Sequence, residues 1–177
     1  MKNEISLKDI KNLKLIRESV KKIIEEASKQ DRENLKVLDI APQVHNGAKE
    51  FFLKSDIKTL DIDKKSNATY ITDLCKDNSE LIPSDYFDII ICTEVLEHTL
   101  NPFNAVAEIY RILKKGGKCY VTTPFNFRIH GPLPDCWRFT EHGLRSLFSK
   151  FCIIEINAIE DEERWLMPVH YQTIATK

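Results

Sequence analysis

The chain has 177 residues, of which 42% are hydrophobic and 30% charged, and its formal net charge is −1. That length suits one domain able to bury well over half of its unfolded surface, and it points away from two. A nearly neutral chain has no overall field to draw in a polyanion, so nucleic acid is not the expected partner.

Ser6-x-x-Asp9 has the form of a capping box with Asp in place of Glu. Leu13, Ile16, Val20, Ile23, Ile24 and Ala27 follow at spacings of three and four, so residues 1–33 read as an N-terminal amphipathic helix ended by the polar stretch Lys29 to Asn34. Short apolar runs then alternate with helical segments: Val37 to Ile40, Ile57 to Ile62, Phe87 to Cys92 and Lys118 to Thr123. Such alternation predicts a parallel sheet covered by helices. The clearest later helix runs from Asn101 to Lys115, with Asn101 as cap, Pro102 in the first turn, Phe103, Val106, Ile109 or Tyr110 and Leu113 facing inward, and Gly116-Gly117 as the stop. Phe151 to Ile159 and Val169 to Thr176 read as two strands with no helix between them, hence an antiparallel pair at one edge of the sheet. The fold class is α/β: a Rossmann-like, doubly wound, mostly parallel sheet, with residues 1–177 as one domain.

In open α/β sheets ligands bind beyond the carboxyl ends of the strands. Asp39 to Gln43 closes the first strand, Asp61-Ile62-Asp63 the second and Asp73-Leu74 the third, and Thr93-Glu94-Val95-Leu96-Glu97-His98 ends the fourth. The interval from Asp39 to Asp61 is near the roughly 20 residues that separate the first turn of a dinucleotide fold from the carboxylate on the ribose hydroxyls. Phe87-Asp88-Ile89-Ile90 before Glu94-Val95-Leu96-Glu97-His98, then Arg111-Ile112-Leu113-Lys114-Lys115-Gly116-Gly117, resembles the class I S-adenosylmethionine-dependent methyltransferases, in particular their small single-domain subgroup. The resemblance covers roughly residues 35 to 150. It implies S-adenosylmethionine as cofactor, with Asp61 and Ile62 at the ribose, Asp73 and Leu74 facing the adenine, Thr93 and Glu94 lining the cleft, and Asp39 setting the turn beneath the methionine part. Where the family places glycines in the first turn, this chain has Ala41 and Gln43 around Pro42. Either the turn takes another path, with Gln43 or His45 touching the methionine carboxylate or amine, or cofactor affinity is reduced or lost.

Pro124 to Thr140 holds two arginines, a histidine, a tryptophan and three phenylalanines among prolines that forbid a helix or central strand. That composition reads as a binding loop. His130 is the expected general base, with His98 and Asp135 as further catalytic candidates. Arg128, Arg138 and Trp137 are the expected substrate contacts, although Arg138 and Asp135 can equally pair to hold the loop. His130-x-x-x-x-Asp135-x-Trp137-Arg138-Phe139-Thr140 is similar to a segment of the same methyltransferase subgroup, which implies a small polar acceptor, anionic or sugar-containing.

The five cysteines are odd in number and show neither C-x-x-C pairs nor the Cys/His spacing of zinc sites, so they read as reduced cytoplasmic thiols and no metal is expected. The start carries no apolar signal core, and the longest apolar run, around Ile89 to Cys92, is too short to span a bilayer. The expected activity is methyl transfer to an oxygen or nitrogen of a small molecule, with no nucleic-acid or membrane partner. The alternative is a catalytically inactive, methyltransferase-like binding module, motivated by Ala41 and Gln43. Oligomeric state is not legible.

Overall fold

The computed structural model describes residues 5–42 and 47–177. Helix α1 spans Leu7–Ser28. Ser6 Oγ accepts from the Asp9 amide at 3.0 Å and donates to the Asp9 carboxylate at 2.9 Å, which closes the capping box. The strands are β1 (Lys36–Ile40), β2 (Asp56–Asp61), β3 (Tyr70–Ile71), β4 (Phe87–Thr93), β5 (Leu113–Pro124), β6 (Ile153–Ile159) and β7 (His170–Thr176), with helices α2 (Pro102–Ile112) and α3 (Glu141–Leu147) between them.

Among the described residues these strands make one seven-stranded sheet in the order β3-β2-β1-β4-β5-β7-β6. Pairings from β3 through β5 are parallel, and β7 runs antiparallel to both β5 and β6. The mostly parallel sheet and its antiparallel C-terminal pair are those expected from sequence. Strand β4 shows why the middle is so apolar: Ile89 and Ile91 face α1, Ile90 and Cys92 face α2 and α3, and all four are fully buried. A strand covered on both faces gains about 1.5–3 kcal/mol from each large aliphatic side chain, and so needs no polar alternation.

Two details depart from expectation. Helix α2 stops at Ile112, and Leu113 is already extended (ψ 136°). The next residues enter β5, whose register against β4 slips between Phe87↔Leu113 and Ile89↔Lys118. Gly116-Gly117 therefore sits in a bulge rather than at the helix end. Gly116 has φ +77°, and a Cβ on Gly117 would approach the Asp88 carbonyl to 2.9 Å. Phe103, expected in the core, is 62% exposed, because the buried stripe of α2 runs through Pro102, Ala105, Val106, Ile109 and Ile112 and leaves Phe103 to one side. No helix among the described residues is long and apolar enough to cross a membrane.

Candidate functional site

The strand order reverses between β1 and β4, and a cavity of about 550 Å³ lies beyond their carboxyl ends. Strand β1 leads into it with Asp39, Ala41 and Pro42, and β4 with Thr93 and Glu94. Helix α1 builds a wall from Leu13, Ile16, Val20 and Ile24, with Arg17 and Lys21 one turn apart on the same side. His98 comes from the turn after β4, while Phe127, His130 and Pro132 come from the loop after β5.

The end of β1 is built around a buried acid. Asp39 is 3% exposed and its Oδ2 accepts from the Ala48 amide at 2.7 Å. Burial pushes its pKa up to about 6, against the partial relief of that amide and of Lys49. Ala41 takes φ +52°, the left-handed region where a glycine would be easier, and Gly47 takes φ +54° directly over Asp39. A Cβ on Gly47 would collide with Asp39 Oδ2. The close approach that needs a glycine is thus met at Gly47, several residues after the turn where it was sought. Gln43 and His45 lie outside the described residues.

Asp61 ends β2 nearly buried, and its Oδ1 accepts from the Asp63 amide at 2.8 Å. Ile62 beside it is 68% exposed. Asp73 accepts from the Cys75 amide at 2.9 Å, and the Leu74 side chain is in the core. Asp61, Asp73 and Leu74 continue the row of strand ends but lie outside the lining of the cavity.

Glu94 also has positive φ, +55°. Non-glycine residues in this region cost of order 1–3 kcal/mol and gather at functional sites. Its Oε1 accepts from Thr122 Oγ1 at 2.9 Å and lies 2.5 Å from His170 Nε2. His170 is fully buried and meets Ser19 Oγ of α1 at 2.9 Å through its other nitrogen, so one imidazole ties the cavity floor to its wall.

Next to Glu94 lies Glu97, fully buried, with neither carboxylate oxygen hydrogen-bonded. Burial, reinforced by the Glu94 charge, holds its pKa well above the usual carboxylate range. Its Oε1 is 3.8 Å from the Nε2 of both His98 and His130. The two rings meet edge to face with centroids 4.9 Å apart.

The loop after β5 is held by its own side chains. Arg138 binds Asp135 through two contacts, at 2.5 and 2.7 Å, and donates to the carbonyls of Trp137 and Arg128. This pairing lowers the Asp135 pKa far below the usual range. Asp135 Oδ2 also accepts from the His130 amide at 2.9 Å. Trp137 donates through Nε1 to the Thr99 carbonyl at 2.8 Å and stacks on Phe139. Of the sequence candidates, Asp39, Ala41, Thr93, Glu94, His98 and His130 converge on the cavity. Arg128, Trp137, Arg138 and Asp135 do not line it. Sequence reasoning missed Arg17, Lys21, His170 and Glu97. Arg17 and Lys21 follow the helical spacing already visible in α1, whereas His170 and the burial of Glu97 leave no periodic signal.

Comparison with known proteins places this geometry. A family model described as methyltransferase domain matches residues 13–175. Among curated proteins no sequence matches. Solved structures of the same fold include a SAM-dependent methyltransferase from Archaeoglobus fulgidus, with TM-score 0.65 and 19% identity, covering 91% of this chain and 94% of that one. Another is the Haemonchus contortus phosphoethanolamine N-methyltransferase 2 in complex with phosphomonomethylethanolamine and S-adenosylhomocysteine. Its TM-score is 0.64 at 16% identity, over 90% of this chain but only 52% of that one. A third, an S-adenosylmethionine-dependent methyltransferase from Mesorhizobium loti, has TM-score 0.64 at 15% identity and covers 86% and 95% of the two chains. With the family match running almost from end to end of a sheet in this strand order, the chain belongs to the class I S-adenosylmethionine-dependent methyltransferases.

Proposed function

We propose that this methyltransferase acts on an oxygen or nitrogen of a small polar acceptor, held between the end of β1 and the His98–His130 pair. The observation that carries the reading is one cavity, about 550 Å³ in volume, lined at once by Asp39 and Ala41 and by His98 and His130. That volume lies in the range of small-molecule sites. The residues fit the cofactor: Gly47 leaves room against a buried carboxylate that a Cβ would fill, and a row of strand-end acids continues to Asp61 and Asp73.

When bound, S-adenosylmethionine supplies an electrophilic methyl group. Asp39 would lie at its methionine end, where the ionised carboxylate would favour a cationic amine. Asp61 would accept from the ribose hydroxyls, exposed Ile62 would lie against the nucleoside, and Asp73 with the Leu74 backbone would meet the adenine. Thr93 and Glu94 shape the floor. Aligning the acceptor with the methyl is the main catalytic task, and the histidine pair manages the acceptor's proton where one must leave.

Cations facing the acceptor come from Arg17 and Lys21 of α1, since Arg138 is bonded within its loop. They favour an anionic acceptor, as does the phosphorylated amine bound by the Haemonchus contortus enzyme. The five free thiols suit the cytoplasm. The test is release of S-adenosylhomocysteine in the presence of a panel of phosphorylated amines, hydroxy acids and sugars, beside RNA and protein. Turnover on a small polar compound is expected, and turnover confined to the macromolecules would overturn the reading.

A further inference from the structure

We propose that Glu97, His98 and His130 form a divalent metal-ion site beside the cavity, binding the ion through a carboxylate oxygen and the two Nε2 atoms. One donor atom from each residue lies within 4.8 Å of the others. The decisive observation is Glu97, whose side chain is wholly buried while neither oxygen has a hydrogen-bond partner. The other buried carboxylate lining the cavity, Asp39, has a donor in the Ala48 amide, and the part-exposed Glu94 has one in Thr122. A buried anion without a donor is unfavourable unless it is neutralised or binds a cation.

The histidines point to the cation. His98 Nδ1 lies 2.9 Å from the Pro134 carbonyl, which can only accept, so Nδ1 carries the proton and Nε2 presents a lone pair. His130 Nδ1 lies 3.3 Å from the Arg128 carbonyl and 3.1 Å from Asp135 Oδ2, which imposes the same tautomer. Both Nε2 lone pairs then face Glu97 Oε1 at 3.8 Å, too far for a hydrogen bond. With Glu97 ionised, three lone-pair donors would face one another across one gap, and a single cation would satisfy all three. Metal-bound histidines commonly donate their other nitrogen to a carbonyl or carboxylate in this way. Bonds of about 2.0–2.2 Å would bring such donors to roughly 3.0–3.5 Å from one another, a small inward movement.

Two imidazoles and one carboxylate suit Zn²⁺, Mn²⁺, Fe²⁺ or Co²⁺ better than Mg²⁺ or Ca²⁺, which prefer oxygen alone. His98 and His130 border the cavity, so the ion's remaining positions open towards the acceptor. Resting on the small-acceptor reading above, the ion would hold an acceptor oxygen and ease loss of its proton to water. Asp135 and Arg138, tied to each other and to His130, act as positioning residues for the site.

The test uses untagged, chelator-stripped protein titrated with Co²⁺ by visible absorption and with Zn²⁺ by calorimetry. One equivalent is expected to bind, with at least tenfold weaker binding in Glu97→Gln and in His130→Ala, and partial weakening in Asp135→Asn. Circular dichroism checks each fold, and His130→Ala, in an exposed loop, carries the test if Glu97→Gln does not fold. No stoichiometric binding, or equal affinity in folded variants, overturns the site and leaves Glu97 as a neutral carboxylic acid. Methylation that continues in chelator with no bound ion removes the metal and leaves the acceptor reading intact. Stoichiometric binding without turnover on any small acceptor leaves the site standing and removes that reading.

Discussion

Asp39 is where stability and ligand binding oppose each other most clearly. Its pKa in the fold is raised from 3.8 to about 6 by burial, so the fold holds the proton more tightly than the unfolded chain does. The associated stability is complete below about pH 4 and is lost as pH rises to about 6, for a total of about 2–3 kcal/mol. Asp39→Asn should therefore melt higher than the parent at pH 7 and close to it at pH 4, while binding S-adenosylmethionine more weakly because the methionine amine loses its carboxylate. Melting curves that run parallel across this range would show that Asp39 keeps an ordinary pKa. His130 gives the complementary case. If its ring manages the acceptor's proton, directly or through an ion, His130→Asn should slow methylation roughly 10²–10⁴-fold with cofactor affinity retained. Turnover within a few-fold of the parent would reduce His130 to packing.

At the scale of elements, most of the sheet was legible from apolar runs alone, because β1, β4 and the last three residues of β2 are buried on both faces and carry no competing periodicity. The end of α2 was not, since Leu113 to Lys115 suit a helix locally and pairing with β4 overrides them. The binding loop was legible as a loop, and the Asp135–Arg138 pair as one of two alternatives, but not the exclusion of both from the cavity. That exclusion depends on backbone carbonyls gathered around one guanidinium. Arg138→Ala leaves a carboxylate of 0% side-chain exposure without its partner, so it should lower stability by about 3 kcal/mol or more. Cofactor affinity should be nearly unchanged, as thermal melts and titrations of the same variant would check. The segment after β1 gives a sharper test of geometry: Gly47→Ala combines positive φ with a collision at Asp39. It should destabilise by more than about 1 kcal/mol and weaken the cofactor as well.

Across the whole molecule, the cavity joins distant parts of the chain. Asn12 and Ser19 of α1 bond to the Asn126 carbonyl and to His170, and Gln172 donates to the Ser19 carbonyl at 2.9 Å. The first helix is therefore part of the cavity wall, although sequence shows it only as an amphipathic helix. This wall and the strand-end acids of the opposite half have to act on one ligand for the chain to work as a methyltransferase. Calorimetric titration with S-adenosylhomocysteine, for the parent and for Asp61→Ala, asks whether they do. One site is expected in the parent. The variant should be folded and bind ten- to a hundredfold more weakly, for the loss of about 1.5–3 kcal/mol of charged hydrogen bonding to the ribose. A folded parent that binds no S-adenosylhomocysteine, or a folded variant of unchanged affinity, would contradict it.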